Sequence, residues 1–202
     1  MVLGCNQLSE SKDLTATKNS TVVSSDKEEI QKLIRQVLVW QESKNTIDLL
    51  PVLADNKDSI YIGFDLEKHK TNLGKLRETN FFAGEFIENY NQIILTLDRK
   101  MKNKEFDNWL VGDLPPFIFA NDVNPWCLCQ DVPYDKPNPW ESVEVKFISF
   151  EKGKAVLTWT WGNSKWSKDF KYKVQVCKEG GRWKIIYLQG FDYLESTRKD
   201  GL

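Results

Sequence analysis

Four segments between residues 143 and 191 alternate apolar and polar side chains, and this period of two constrains the fold more than any other feature. Glycine-containing or polar turn sequences, EKGK, GNSK and KEGGR, separate the segments. Period-two alternation is typical of half-buried strands, and short turns join antiparallel neighbours. The segments therefore predict a four-stranded antiparallel meander. Its in-phase apolar residues are Val143, Val145 and Phe147; Ala155, Leu157, Trp159 and Trp161; Phe170, Tyr172, Val174 and Val176; and Trp183, Ile185 and Tyr187.

Three segments have the helical period instead and predict three amphipathic helices, at residues 24–43, 65–79 and 81–103. Ser25 and Glu28 have capping-box spacing at the start of the first helix, and Asp65 caps the second. The third helix has an apolar stripe formed by Phe86, Tyr90, Ile93, Ile94, Leu97 and Met101. Helices that precede a meander predict an α+β fold, with N-terminal helices packed on one face of a curved antiparallel sheet.

The two connecting regions are less regular. Residues 45–64 predict a short helical piece broken near Pro51 and then an extended stretch. Residues 105–139 predict an aromatic, proline-rich loop with one strand at PWCLCQD. We see no internal repeat and no second domain.

Length and charge limit the classes of function. The chain has 202 residues and a net charge of −1 from 28 basic and 29 acidic side chains, which fits one domain and a tail. A balanced surface does not attract nucleic acid. No apolar run approaches the roughly 20 residues of a spanning helix. Eight tryptophans are many for this length, and they predict a thick aromatic core or rings that line a pocket.

The first residues are similar to a bacterial lipoprotein lipobox. Val2-Leu3-Gly4-Cys5 places a small residue before the cysteine, and the polar residues 6–25 that follow have no periodicity. The resemblance implies lipidation at Cys5, with residues 1–5 as the remnant of a lipoprotein signal, 6–25 as a flexible tether and 26–202 as one α+β domain. It also implies a location in the bacterial cell envelope, facing the periplasm or the cell surface, with the membrane reached by the lipid anchor alone. The basic segment and most of the apolar segment of a signal peptide are missing here.

Three motifs together resemble the nuclear-transport-factor-2-like (cystatin-like α+β) superfamily, and within it a bacterial lipoprotein family of unknown function. They are TNFFAGEFIENY, NPWCLCQD and GRWKIIYLQGFD. The resemblance covers about residues 26–195 and implies a cone in which three helices close over a bent sheet. It also implies a cavity, with Asp131 on or beside a strand near its mouth. Enzymes, transport adaptors, immunity proteins and inert-looking pockets share this fold, so it does not define a function.

The cysteines leave several pairings open. If Cys5 is acylated, Cys127, Cys129 and Cys177 remain, which permits at most one internal disulfide. Cys-x-Cys on a strand would place both sulfurs on one face. Buried packing thiols are one interpretation, a bridge from Cys177 to Cys127 or Cys129 is another, and metal or redox chemistry is a third.

No complete catalytic set is present. The single histidine, His69, lies between two lysines and predicts a solvated helix edge, and one histidine makes a zinc site poor. Asp131 and Asp192 each fit either a carboxylate that braces a loop or one that lines a pocket. Trp159 and Trp161 alternate with threonines, which fits core packing or a ladder that stacks on a sugar. The pocket candidates are Asp131, Trp126, Tyr61, Tyr90, Trp159, Trp161 and Asp192.

The sequence leaves three functions to compare. The first is a non-enzymatic, lipid-anchored protein that binds a small ligand or a protein partner, for example as an immunity-type protein. The second is a small cavity enzyme with Asp131 as acid–base group and Tyr61 or Tyr90 as donor. The third is a glycan-binding module with exposed tryptophans. We predict no cofactor, no metal and no nucleic-acid partner.

Overall fold

A computed structural model describes residues 11–43, 46–55, 57, 59–130, 139–151, 153–161 and 170–200, with side chains from residue 24 onward. The described part has an α+β fold with four α-helices and two antiparallel sheets. The elements are α1 (Ser11–Gln41), β1 (Val52–Asp55), β2 (Ile60–Phe64), α2 (Leu66–Thr79), α3 (Gly84–Lys102), β3 (Glu144–Glu151), β4 (Lys154–Thr160), β5 (Tyr172–Glu179), β6 (Arg182–Leu188) and α4 (Tyr193–Ser196). Short 3₁₀ turns occupy Pro139–Ser142 and Gln189–Phe191.

The predicted meander is confirmed. Strands β3 to β6 form one sheet in sequence order, and every neighbouring pair is antiparallel. The in-phase residues of β4, including Leu157 and Trp159, are buried, as the period of two requires. A bulge in β3 between Phe147 and Ser149 changes the phase of the strand, so that Phe147 and Phe150 contact each other on the core side while Ile148 and Ser149 are exposed.

The three predicted helices are present. Asp65 caps α2 by accepting a hydrogen bond from the backbone N–H of Lys68, and the stripe of α3 from Phe86 to Leu97 is buried. The predicted start of the first helix is wrong, because Ser25 lies inside α1 instead of capping it. Residues 11–24 contain neither glycine nor proline, so nothing in them forces the helix to stop. None of the helices in the described ranges is long and apolar enough to cross a membrane.

The connection before α2 is a hairpin of β1 and β2, so its extended part is confirmed, whereas the short helical piece before Pro51 is not present. Asp98 of α3 holds this hairpin: its Oδ1 accepts the Phe64 N–H at 2.9 Å and its Oδ2 binds Lys102 Nζ at 2.7 Å. A Cβ on Gly63 would lie 2.8 Å from Asp98 Oδ1. The close approach explains the glycine.

Aromatic side chains fill the core between the helices and the sheet. Six tryptophans are buried, and they are Trp109, Trp126, Trp140, Trp159, Trp161 and Trp183. Trp183 is tied to α1, since its Nε1 donates to Asp26 Oδ1 at 2.9 Å, and Lys178 Nζ binds the same oxygen at 2.6 Å. The interpretation of the tryptophans as a thick aromatic core is confirmed for these six.

Candidate functional site

A cavity of about 460 Å³ lies between two walls near the end of the chain. One wall belongs to residues 118–129, which we name the pocket loop; its lining residues are Ile118, Phe119, Ala120, Val123, Pro125 and Leu128. The other belongs to residues 187–196, which we name the C-terminal wall; its lining residues are Tyr187, Gln189, Gly190, Asp192, Glu195 and Ser196. The volume suits a small organic ligand.

Hydrogen bonds join the two walls at both ends of the cavity. At one end, the Ile118 N–H donates to Arg198 O at 3.1 Å and the Phe119 N–H donates to Ser196 O at 3.3 Å. At the other end, the buried hydroxyl of Tyr172 donates to Pro125 O at 2.7 Å and accepts the Gly190 N–H at 2.9 Å. The cavity is thus part of the folded scaffold.

The polar groups of the cavity meet at Asp192. Its Oδ1 accepts the N–H groups of Leu194 and Glu195 at 3.1 and 3.2 Å and so caps α4. Its Oδ2 accepts the hydroxyl of Tyr187 at 3.3 Å. Because a carboxylate oxygen can accept two hydrogen bonds, Oδ2 can accept one more from a ligand.

Tyr187 is in the cavity because of an irregularity in the sheet. The pairing of β5 with β6 shifts between Gln175 and Val176, so that Leu188 is buried while Tyr187 is half-exposed. A strict period of two places Tyr187 in phase with Trp183 and Ile185 on the core face, and that prediction is wrong. A strict period of two cannot reveal a bulge.

The electrostatics of the cavity favour a neutral tyrosine beside a negative charge. Burial raises the pKa of Tyr187, and the charge of Asp192 raises it further, so the hydroxyl keeps its proton at neutral pH. Among the lining residues that the structure describes, the only charged ones are Asp192 and Glu195. Glu195 also binds Arg198 at 2.9 Å on the exposed side.

The pocket loop has an unusual backbone. Ala120, Asp122 and Leu128 have φ values of 56°, 57° and 52°. Only three other non-glycine residues in the described ranges have positive φ. Such conformations cost free energy and concentrate at functional sites.

The cysteines are paired within the pocket loop. Cys127 and Cys129 form a disulfide with Cα atoms 5.2 Å apart, and Cys177 is a free thiol. The predicted strand at PWCLCQD is wrong, because these residues form a turn closed by the Asn124 N–H bond to Cys129 O at 3.0 Å. In a strand, residues two apart would lie about 6.6 Å apart. The turn brings the two cysteines close enough to pair with each other. The predicted bridge from Cys177 and the predicted packing thiols at Cys127 and Cys129 are therefore wrong.

Of the seven predicted pocket residues, Asp192 lines the cavity. Trp126 lies in the buried ring cluster of the core, 4.6 Å from Phe191 between ring centroids. Asp131 lies outside the described residues, as does the predicted lipidation site Cys5.

The other four candidates lie elsewhere. Tyr61 contacts the ring of Trp109 with centroids 4.4 Å apart. Tyr90 is buried and donates to Leu49 O at 3.1 Å, and burial raises its pKa. Trp159 and Trp161 are buried against each other in the core, so neither ring presents a face to a sugar.

His69 is not on a solvated edge, and that prediction is wrong. It is 2 % exposed, its Nε2 donates to Asn91 Oδ1 at 3.1 Å, and its ring contacts Tyr90 edge to face. The neighbouring lysines are solvated, but the helical period turns residue 69 inward with Leu73 and Leu76. Nδ1 has no hydrogen-bond partner in the described structure. Within the described ranges, no group of three or more His, Cys, Asp or Glu side chains could hold a metal ion.

A second surface, the α1 groove, has a volume of about 560 Å³. Its lining is Glu28, Gln31, Lys32, Arg35, Gln36, Val39, Trp40, Phe81 and Glu141. It is more open than the cavity and carries charges of both signs. None of the seven predicted residues lines it.

Comparison with known proteins identifies no relative. No family model matches the sequence, and no curated protein or solved structure matches it either.

Proposed function

We propose that this is a non-enzymatic binding domain that takes a small ligand in the cavity between the pocket loop and the C-terminal wall. One observation carries the proposal: a mainly apolar, partly open cavity has polar groups converging on Asp192 and Tyr187. Sites for small ligands have this composition, in which apolar walls supply contact area and a few polar groups fix orientation.

The charge of the lining residues limits the chemical class of the ligand. Asp192 offers an accepting oxygen, and no lysine or arginine is among the described lining residues. A cation is attracted to an unneutralised carboxylate in a partly desolvated site, whereas an anion is repelled. The ligand therefore has an apolar body and an amine, or a comparable donor, at one end.

A pair of probes of similar size and opposite charge tests this directly. Phenethylamine and 3-phenylpropionate share the aromatic body. In a backbone chemical-shift titration, phenethylamine should saturably shift Ala120, Leu128 and Gly190, and 3-phenylpropionate should not. Equal shifts of these residues with both probes would reject the preference for a cation, and shifts confined to Trp40 and Phe81 would reject the cavity as the site.

Partner binding at the α1 groove is the second candidate function. Trp40 is half-buried there and Phe81 lies beside it, with centroids 6.4 Å apart, and charged residues surround both rings. Aromatic anchors with a polar rim are typical of protein interfaces. An immunity-type protein would use such a surface. A partner that binds here should lose affinity in Trp40→Ala and retain it in Asp192→Asn.

The cone architecture and the lipid anchor belong to the same proposal. Helices that cover a four-stranded meander are compatible with the nuclear-transport-factor-2-like cone, and the sequence Val2–Cys5 supports an envelope lipoprotein. Expressed behind a complete signal sequence, the protein should take up labelled fatty acid and enter the detergent phase, and Cys5→Ser should abolish both. Equal membrane recovery of the two forms would reject the anchor.

A further inference from the structure

We infer that the Cys127–Cys129 disulfide is a redox control on the cavity: reduction by a dithiol loosens the wall at Leu128 and weakens ligand binding. The inference rests on the proposed function, because it concerns the regulation of the same cavity. It adds that the redox state of this disulfide changes the affinity of the cavity for its ligand.

The disulfide lies directly beside the wall of the cavity. Leu128 lies between the two half-cystines, and its side chain lines the cavity. No residue separates the disulfide ring from the wall. Opening of the disulfide ring therefore changes the constraint on Leu128, which is itself part of the cavity wall.

The backbone of Leu128 has an unfavourable conformation. Its φ is 52°, a conformation that a leucine adopts only when its surroundings impose it. Two constraints impose it here. One is the covalent ring, and the other is Asn124, whose carbonyl accepts the N–H groups of Cys127 and Leu128 at 3.1 and 2.7 Å. Removing the covalent constraint leaves the hydrogen bonds alone to resist the return of Leu128 to a relaxed conformation.

The two sulfurs of the disulfide differ in their exposure to a reductant. Cys127 is fully buried and Cys129 is half-buried, so a reductant reaches the sulfur of Cys129 first. A thiolate of the dithiol attacks Cys129 Sγ, the S–S bond breaks, and Cys127 leaves as a thiolate that takes up a proton. The second thiolate of the dithiol then attacks the mixed disulfide, which releases Cys129 as a thiolate that is protonated in turn, and yields the oxidised cyclic reductant. Two electrons pass to the protein and two thiols form.

Cys177 does not take part in this exchange. It lies on β5, opposite Lys154 of β4 and Lys184 of β6, rather than in the pocket loop. Burial raises the pKa of its thiol, which leaves little thiolate at neutral pH. Alkylated after denaturation, its thiol is counted in both redox states and serves as an internal reference.

The test compares the oxidised full-length chain with the same protein treated with dithiothreitol. Alkylation and mass spectrometry count the thiols, hydrogen exchange follows the amides of Trp126, Cys127 and Leu128, and calorimetry measures phenethylamine affinity. We expect two new thiols, faster exchange at these three amides with unchanged exchange in β5 and β6, and affinity weaker by about fivefold, the loss expected when the wall must be ordered again on binding. The double variant Cys127→Ser/Cys129→Ser should bind as weakly with and without dithiothreitol.

The outcomes separate this inference from the proposed function. Two new thiols with unchanged exchange at residues 126–128 would overturn the redox control, and so would a disulfide that resists dithiothreitol in the folded protein. If phenethylamine fails to bind the oxidised protein, the proposed ligand class is wrong, and the exchange measurement still decides whether reduction loosens the wall. If the double variant does not fold, the wild-type comparison decides the question.

Discussion

The hydroxyl of Tyr172 donates a hydrogen bond to the carbonyl oxygen of Pro125 at 2.7 Å, and this contact joins the sheet to the pocket loop. The same hydroxyl accepts the N–H of Gly190 at 2.9 Å, which brings the C-terminal wall to the same point. One buried side chain thus holds both walls of the cavity. The geometry of the proposed ligand site therefore depends on a contact that also stabilises the fold.

Tyr172→Phe tests that coupling. The ring keeps its packing against Trp159, but two backbone groups lose their partner, and an unsatisfied buried group costs about 1–3 kcal/mol. Urea unfolding should show a loss of that size. Tyr193→Phe is the control, because its hydroxyl meets Thr96 at an exposed position, and it should change stability little. Equal losses in both variants would mean that Tyr172 does not hold the walls.

Gly190→Ala tests the close approach of the walls. A Cβ at residue 190 would lie 2.0 Å from Pro125 O, and the backbone atoms that it meets must move. Overpacking of this kind costs about 1–3 kcal/mol or more, so thermal unfolding should occur at a markedly lower temperature. Gly74→Ala is the matched control, since a Cβ at Gly74 of α2 has no neighbour within 4 Å. That change should be neutral or raise stability by about 0.5–1 kcal/mol. A neutral Gly190→Ala would contradict the packing of the walls.

Trp183→Ala tests the attachment of α1 to the sheet. The side chain is 5 % exposed and donates to Asp26, so its truncation leaves a cavity and removes one of the two hydrogen bonds to the Asp26 carboxylate, while Lys178 keeps the other. Loss of a large buried aromatic typically costs about 3–5 kcal/mol, a large part of a domain's total stability. Circular dichroism during denaturation should show a nearly unfolded protein. Its exposed neighbour provides the reference, because Arg182→Ala should alter stability by less than about 0.5 kcal/mol. Unchanged melting of Trp183→Ala would refute the contact.

His69 predicts a pH dependence with a defined sign. Burial lowers the pKa of its imidazole below 6.5, while its hydrogen bond to Asn91 opposes the shift. Below pH 6.5 the unfolded chain binds a proton at this residue more readily than the folded chain does. The free energy of unfolding therefore decreases as the pH falls from 6.5 to the pKa of His69 in the folded protein. His69→Gln should flatten the free energy of unfolding in that window.

The single histidine of the chain allows a direct check, since its ring resonance can be followed by NMR in the folded protein. A midpoint below 6.5 agrees with burial. A midpoint above 6.5 would contradict it.

The regular parts of the fold could be predicted from the sequence because their signals are local. Alternation along β4 and the stripe from Phe86 to Leu97 depend only on the period of one element. The Asp65 cap is equally local, since the carboxylate and the Lys68 N–H are three residues apart.

The cavity could be predicted only in part because its features depend on exceptions to those periods. Tyr187 lines it through a bulge that depends on pairing with β5. The disulfide needed a turn with Leu128 in a left-handed conformation, which leucine disfavours. Asp192 can be predicted because it comes shortly after the last strand, from which the 3₁₀ turn Gln189–Phe191 separates it. The glycine before the final turn, Gly190, was the one available signal for the close approach of Pro125.

The affinity of phenethylamine for the wild type and for Asp192→Asn, measured by calorimetry at neutral pH, tests the central claim most directly. Asparagine caps a helix as well as aspartate does, so the variant should retain α4 while it loses the charge. We predict saturable binding to the wild type and a loss of about 10- to 100-fold in the variant, the range expected for one charged hydrogen bond. Equal affinity in the two proteins, or no binding to the wild type, would contradict the account.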